Sequence, residues 1–212
     1  MLLRNLSILG LLFFALFFFN ACSNPPQNPA AFYHWKATLD IGELEQKYLD
    51  SLESKKLYVR FFDVHWDAKR KTTYPLAQLE WNDFDIGRSL EIIPVIYITN
   101  ISLKKTENNK DLDSLAKNIA EKLDLMLSKL DTEKFVLREL QLDCDWSETT
   151  QRKYFKLIDK IRDYLPQIET LSATIRLHQV KYFNKTGVPP VDKGMLMFYN
   201  MGEVILKKKI QF

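Results

Sequence analysis

Two aspartates at alternate positions are the residues of this chain best placed to do chemistry. In LQLDCDWSE, residues 140–148, an extended strand turns Gln141, Asp143 and Asp145 to one side. The two aspartate Cα atoms are then roughly 6.6 Å apart, at a rise of about 3.3 Å per residue. Carboxylates this close repel, so one keeps its proton beside an ionised partner, the arrangement that glycosidic hydrolysis uses. Each aspartate also has a structural reading. Asp145, three residues before Glu148, has the spacing of an N-cap in a capping-box-like turn. Asp143 has Arg60 and Arg176 available to neutralise it, as a buried charge requires. Cys144 alternates to the opposite face and is expected to pack against helices.

The other polar residues collect at comparable places. His34 and Trp35 close one apolar run, Asp63, His65, Trp66 and Asp67 a second, and Asn100 a third. Trp146 follows the two aspartates; Arg176 and His178 end a fifth run, and Tyr199 and Asn200 a sixth. Trp35, Trp66 and Trp146 are candidate platforms for sugar rings, whose apolar C–H faces suit an aromatic surface while their hydroxyls need Asp, Asn, His and Arg partners. His34, His65 and His178 with Asp63 could also form a metal site. No HxH pair or close His/Glu spacing supports one, and no cofactor is expected.

These residues need elements to hold them. The runs AAFYHWKA, KLYVRFFDV, EIIPVIYITN, VLRELQLDCDW, TLSATIRLH and GMLMFYNMG are too apolar on both faces for a one-sided antiparallel sheet and read as buried parallel strands. Three amphipathic segments between them read as helices. Leu44, Tyr48, Leu49 and Leu52 mark the first. Leu112, Leu115, Ile119, Leu123, Met126 and Leu130 mark the second; Tyr154, Leu157, Ile158, Ile161 and Leu165 mark the third, which stops at Pro166. Alternating strands and helices imply right-handed βαβ units and a shared face at the carboxyl ends of the strands. Residues 67–90 and 179–193 read as long loops.

The fold class is therefore α/β, a parallel barrel of TIM type with about six strands, two fewer than closure needs. Length agrees: removing an apolar leader of 21 residues from 212 leaves 191, short of the roughly 250 of a complete barrel. That leader, with Arg4 before the run Leu6 to Phe19 and Ala21 before Cys22, has the layout of a secretory signal. Residues 22–31 then read as a tether and 32–212 as the barrel domain. A net charge of +3 is dispersed except at Lys207, Lys208 and Lys209, and leaves no nucleic-acid footprint. With 46% hydrophobic and 27% charged residues, disordered and low-complexity classes are excluded.

The strings YHWK, LYVRFFDVHWD, PVIYITN, LQLDCDWSETTQRKYF, LSATIRLHQVKY and TGVPPVDKGMLMFYNMG together resemble a family of bacterial lipoproteins common in Bacteroidetes. The domain of that family looks like a glycoside-hydrolase TIM barrel. The resemblance implies a barrel, a carbohydrate ligand and a lipid-modified Cys22 as membrane anchor on the periplasmic face or cell surface, and leaves the reaction open. A lipidated Cys22 would leave Cys144 as the one thiol, without a disulfide. The family pattern continues through two more strands after FYNMG, whereas GEVILKKKIQF stands here, so a C-terminally truncated member is expected. DCDWSE also resembles the fourth-strand motif of chitinase-like barrels, in which a catalytic Glu follows two residues after the last Asp. Here that position is Ser147, and Glu148 comes one later, which turns it off the strand face.

The reading is a lipid-anchored barrel acting on or binding carbohydrate. In an active form Asp143 would orient substrate or stabilise an oxocarbenium-like charge and Asp145 would be the acid. Sugar would be bound by His34, Trp35, Arg60, Asp63, His65, Asn100, Trp146, Arg176, His178, Tyr199 and Asn200. A non-catalytic binding or structural lipoprotein is the alternative, and a metal-dependent hydrolase using His65, Asp63 and His178 the third.

Overall fold

A computed structural model describes residues 30–77, 79–81, 90–129 and 137–198. Along the chain these form β1 (Ala31–His34), β2 (Thr38–Leu39), α1 (Glu43–Ser51), β3 (Lys56–Asp67), β4 (Thr72–Ala77), β5 (Glu80–Trp81) and β6 (Glu91–Ile98). There follow α2 (Asn100–Lys105), α3 (Asn109–Leu127), β7 (Glu139–Cys144), α4 (Gln151–Tyr164), β8 (Thr170–Arg176), α5 (Leu177–Lys181), α6 (Phe183–Thr186) and β9 (Lys193–Met197).

Six parallel strands lie side by side in the order β1-β3-β6-β7-β8-β9. Each new strand adds to the same edge, which is the winding of a barrel; a doubly wound sheet reverses its order midway. The sheet curls. In a flat sheet β1 and β7, three strand steps apart, would be separated by about 14 Å, yet the Tyr33 hydroxyl on β1 donates to Gln141 Oε1 on β7 at 2.6 Å. The described residues thus form an open, curled part of a TIM-type barrel.

The convex face carries the main core. Leu140, Leu142 and Cys144 of β7 and Ile92, Ile96 and Ile98 of β6 meet Leu115, Ile119 and Leu123 of α3 and Tyr154, Leu157, Ile158 and Ile161 of α4. Each such side chain contributes about 1.5–3 kcal/mol by leaving water. Asn108 caps α3 in a reciprocal box with Asp111, and α4 ends at Tyr164, with Leu165 as its C-cap directly before Pro166. The concave face holds a smaller cluster of Tyr58, Ile93 and Val95 with Tyr33 and Met195, and polar side chains besides.

Three expectations change. Within the expected loop 67–90, β4 folds back antiparallel on β3 and β5 pairs with β2. Pro75 is tolerated in β4 because it sits on an edge strand. Residues 179–193 begin with the short α5 and α6 before Gly187. In α1 only Leu49 of the expected stripe is buried; Leu44, Tyr48 and Leu52 face solvent. Leu130, Tyr199, Asn200, Lys207 to Lys209 and the leader with Cys22 lie outside the described residues. Among the described residues, no helix is long and apolar enough to cross a membrane.

Candidate functional site

Asp63, Tyr97 and Asp143 stand in one row across three neighbouring strands, since Tyr97 is the register partner of both aspartates. All three face the concave side near the carboxyl ends of β3, β6 and β7. A β-bulge in β3 between Arg60 and Phe62 adds to this row. Strict alternation would put residues 60 and 63 on opposite faces; the extra residue brings both to the concave side. Arg60 then donates from Nε to Asp63 Oδ1 at 2.6 Å and from Nη2 to Oδ2. The bond to Asp63 holds the guanidinium more firmly protonated. The Arg60 guanidinium also lies over the Tyr97 ring, 5.5 Å from its centre, and His65 Nε2 sits 3.1 Å from Asp63 Oδ2.

A second cluster continues the row. Asp143 is 3% exposed and accepts from the Thr174 hydroxyl at 2.5 Å and from Arg176 Nη2 at 2.9 Å. Arg176 Nε donates to Asp145 Oδ1 at 2.5 Å, so one guanidinium joins both aspartates. Burial pushes the Asp143 carboxyl above its ordinary range, against the pull of Thr174 and Arg176. The Tyr97 phenol is raised by burial and then by the charges of Asp145 and Asp143. The ion-pair reading of Asp143 thus holds with Arg176, while Arg60 takes Asp63. The capping reading of Asp145 does not: α4 begins at Gln151 with Thr150 as its N-cap residue, and Asp145 is spent on Arg176.

Below the row lies an aromatic and hydrogen-bonded floor. Trp35 stacks on Tyr33 at 5.2 Å with 5° between the planes, and Tyr33 stacks on Tyr58 at 4.8 Å. Trp35 is 40% exposed, so the outer end of this stack meets solvent. Deeper still, Glu139 is buried beneath Lys56 and Lys193 and accepts from the Ser172 hydroxyl.

The concave face therefore gathers Trp35, Arg60, Asp63, His65, Asp143, Asp145 and Arg176, and several sequence-chosen residues lie elsewhere. Trp146 is a correction. It is fully buried on the convex side, stacked 5.1 Å from Tyr154, with Nε1 donating to the Thr186 carbonyl at 2.7 Å. Trp66 also faces outward, following Phe62 and Val64. His34 turns away from Tyr33 and bonds the Thr38 carbonyl at 2.8 Å. His178 is exposed on α5. Asn100 spends its side chain on Thr150 and Ser147, at 2.7 and 3.5 Å, tying two turns together. Strand parity decides most of these: the alternation that aligns Asp143 with Asp145 assigns Trp146 to the face of Cys144. Among the described residues no group of three or more His, Cys, Asp or Glu is placed to hold a metal ion.

Sequence reading missed Tyr97, Tyr33 and Gln179. Gln179 accepts from the Arg176 backbone N–H at 2.8 Å and donates to the Trp146 carbonyl at 3.1 Å, locking the turn that carries Arg176 to the turn after β7. Tyr97 was visible as the inward partner of Val95 in the alternation of β6. Gln179's bond to Arg176 is a local one, three residues back in the capping box of α5, whereas its bond to Trp146 joins segments 33 residues apart and had no local signal.

No protein-family model matches the chain, and no curated protein does. Among the solved structures that resemble it in part are the following two. One is EndoBT-3987 of Bacteroides thetaiotamicron with Man5GlcNAc product, at 10% identity and a TM-score of 0.42, covering 71% of this chain and 39% of that one. The other is the chitinase domain of the spore coat protein CotE from Clostridium difficile, at 13% identity and a TM-score of 0.45, covering 78% and 47%. The chain spans less than half the length of either protein.

Proposed function

We propose that the concave face binds a carbohydrate and that binding, not hydrolysis, is its present work. One observation carries this reading. The exposed end of the Trp35 stack shares a face with two arginine–carboxylate clusters whose outer members, His65 and Asp145, reach solvent. An aromatic plane suits the C–H face of a sugar, and charged, pre-paired side chains suit its hydroxyls. The carboxylates are less suited to turnover. Asp143 is almost out of reach of substrate, Asp145 is held by a cation, and Glu148 lies well exposed beside Lys185.

Glycoside hydrolysis is the second reading, favoured by the raised carboxyl of Asp143 next to the exposed Asp145. In it Asp143 would be the proton donor, the reverse of the assignment from spacing alone. A glycan array with wild type and Trp35→Ala, followed by chromatography of the bound sugars, separates the two. Binding of at least one glycan that falls tenfold or more in Trp35→Ala, with no released product, is the expected result. Product that disappears in Asp143→Asn and Asp145→Asn at unchanged melting temperature would establish hydrolysis, and no bound glycan at all would end both readings. Anchoring through a lipidated Cys22 belongs to the same proposal, rests on residues 1–22, and is checked by the mass of the mature amino terminus.

A further inference from the structure

Trp66 has no place in the concave site. Phe62 and Val64 enter the convex core, so parity carries Trp66 to the outer side of β3, beyond the point where that core ends. There it is half-buried and forms one wall of a cavity of about 720 Å³ between the β3–β4 hairpin and α3. The hairpin side adds Lys71 and Thr72. The α3 side adds Ser114 and Asn118, one helical turn apart and both exposed, and Lys105, the last residue of α2, joins the lining. Two cations, Lys71 and Lys105, face two anions, Glu107 and Asp111, on the same lining. The cleft therefore has no net charge with which to select a polyanion or a polycation.

A single aromatic wall surrounded by hydroxyl, amide and ammonium groups fits a neutral, hydroxyl-rich ligand with one apolar face. The volume is in the range of sites that hold a whole small ligand, roughly 300–1,000 Å³. We propose that this cleft is a second carbohydrate-binding site, in which a neutral oligosaccharide segment stacks on Trp66 and is hydrogen-bonded by Asn118, Ser114 and Lys105. It lies on the opposite side of β3 from Asp63 and His65, so it is separate from the concave face and does not depend on that face binding sugar.

Affinity electrophoresis of the full chain tests this, through gels containing glycol chitin, mannan, xylan or hydroxyethyl cellulose one at a time. At least one polysaccharide should retard the wild type, and that retardation should persist in Trp35→Ala. It should fall at least fivefold in Trp66→Ala, fall measurably in Asn118→Ala, and be kept in large part by Trp66→Phe. Should Trp66→Ala not fold, Asn118→Ala and Trp66→Phe decide the matter, because neither removes the wall. Retardation unchanged in Asn118→Ala and Trp66→Ala would overturn the proposal. So would retardation abolished by Trp35→Ala alone, or none in any gel.

Discussion

The guanidinium of Arg176 lies 2.9 Å from the carboxylate of Asp143, a residue with 3% of its surface exposed. A second arm of the same guanidinium reaches Asp145 at 2.5 Å. The carboxyl ends of β7 and β8 are thereby joined through one cation, and its loss would leave a buried charge with Thr174 as its remaining described hydrogen bond.

Replacing Arg176 by alanine is expected to cost about 3–5 kcal/mol at neutral pH, the usual loss when one member of a buried pair is removed. Combining it with Asp143→Asn should recover much of that loss, because an amide has no charge to strand. Urea denaturation of the single and double variants measures both. A double variant no more stable than Arg176→Ala would show that the pair is not coupled as the geometry requires.

The same carboxyl sets a pH dependence. Burial raises the folded pKa of Asp143 above its ordinary value of 3.8, so the folded chain holds this proton more tightly than the unfolded chain. Its contribution to stability is fully present below about 3.8 and is lost as pH rises through the folded value. The wild type, compared with Asp143→Asn, should therefore lose stability from about pH 3.5 towards neutrality. Denaturation midpoints of both proteins across that range check the sign; a difference that grows in favour of the wild type would contradict it.

Trp146 and Trp35 should behave oppositely. Trp146→Ala removes a fully buried ring and the hydrogen bond to the Thr186 carbonyl, at an expected cost of about 3–5 kcal/mol. Trp35→Ala removes an exposed stacking partner of Tyr33 and should cost about 1 kcal/mol while removing the glycan binding that belongs to the concave face. Thermal melts beside the glycan array separate the roles. Equal destabilisation by both changes would show that Trp35 is a packing residue.

Gly187 is the one glycine among the described residues whose backbone is left-handed, at φ 67° and ψ −178°. A Cβ there would come within 2.0 Å of Gln151 Nε2 and 3.0 Å of the Phe155 ring. Gly187→Ala should therefore cost about 1–3 kcal/mol, or several degrees in melting temperature. An unchanged melt would mean that the turn after α6 can rearrange without cost.

The strands of the barrel were legible because each is an apolar run, β3, β6, β7 and β8 being largely buried on both faces while the edge strands β1 and β9 are more exposed, and α3 and α4 because their stripes recur at three and four residues. The β3–β4 hairpin and the short α5 and α6 were not: β4 carries a proline, and helices of four or five residues show no period. In the site, the shared face of Asp143 and Asp145 followed from alternation. The same parity, applied further, removes His34 and Trp66 from the concave face and places Trp146 with Cys144.

Local order along the chain determined which residues alternate, which runs are buried, and that polar groups collect at strand ends, because these depend on neighbours two to four positions apart. Tertiary structure decided the partners. The bulge at Phe61 reverses parity and delivers Arg60 to Asp63, the strand register sets Tyr97 between two aspartates, and the fold gives Arg176 to both Asp143 and Asp145. Those contacts join residues separated by dozens of positions or hang on a single inserted residue, and no spacing within one segment encodes them.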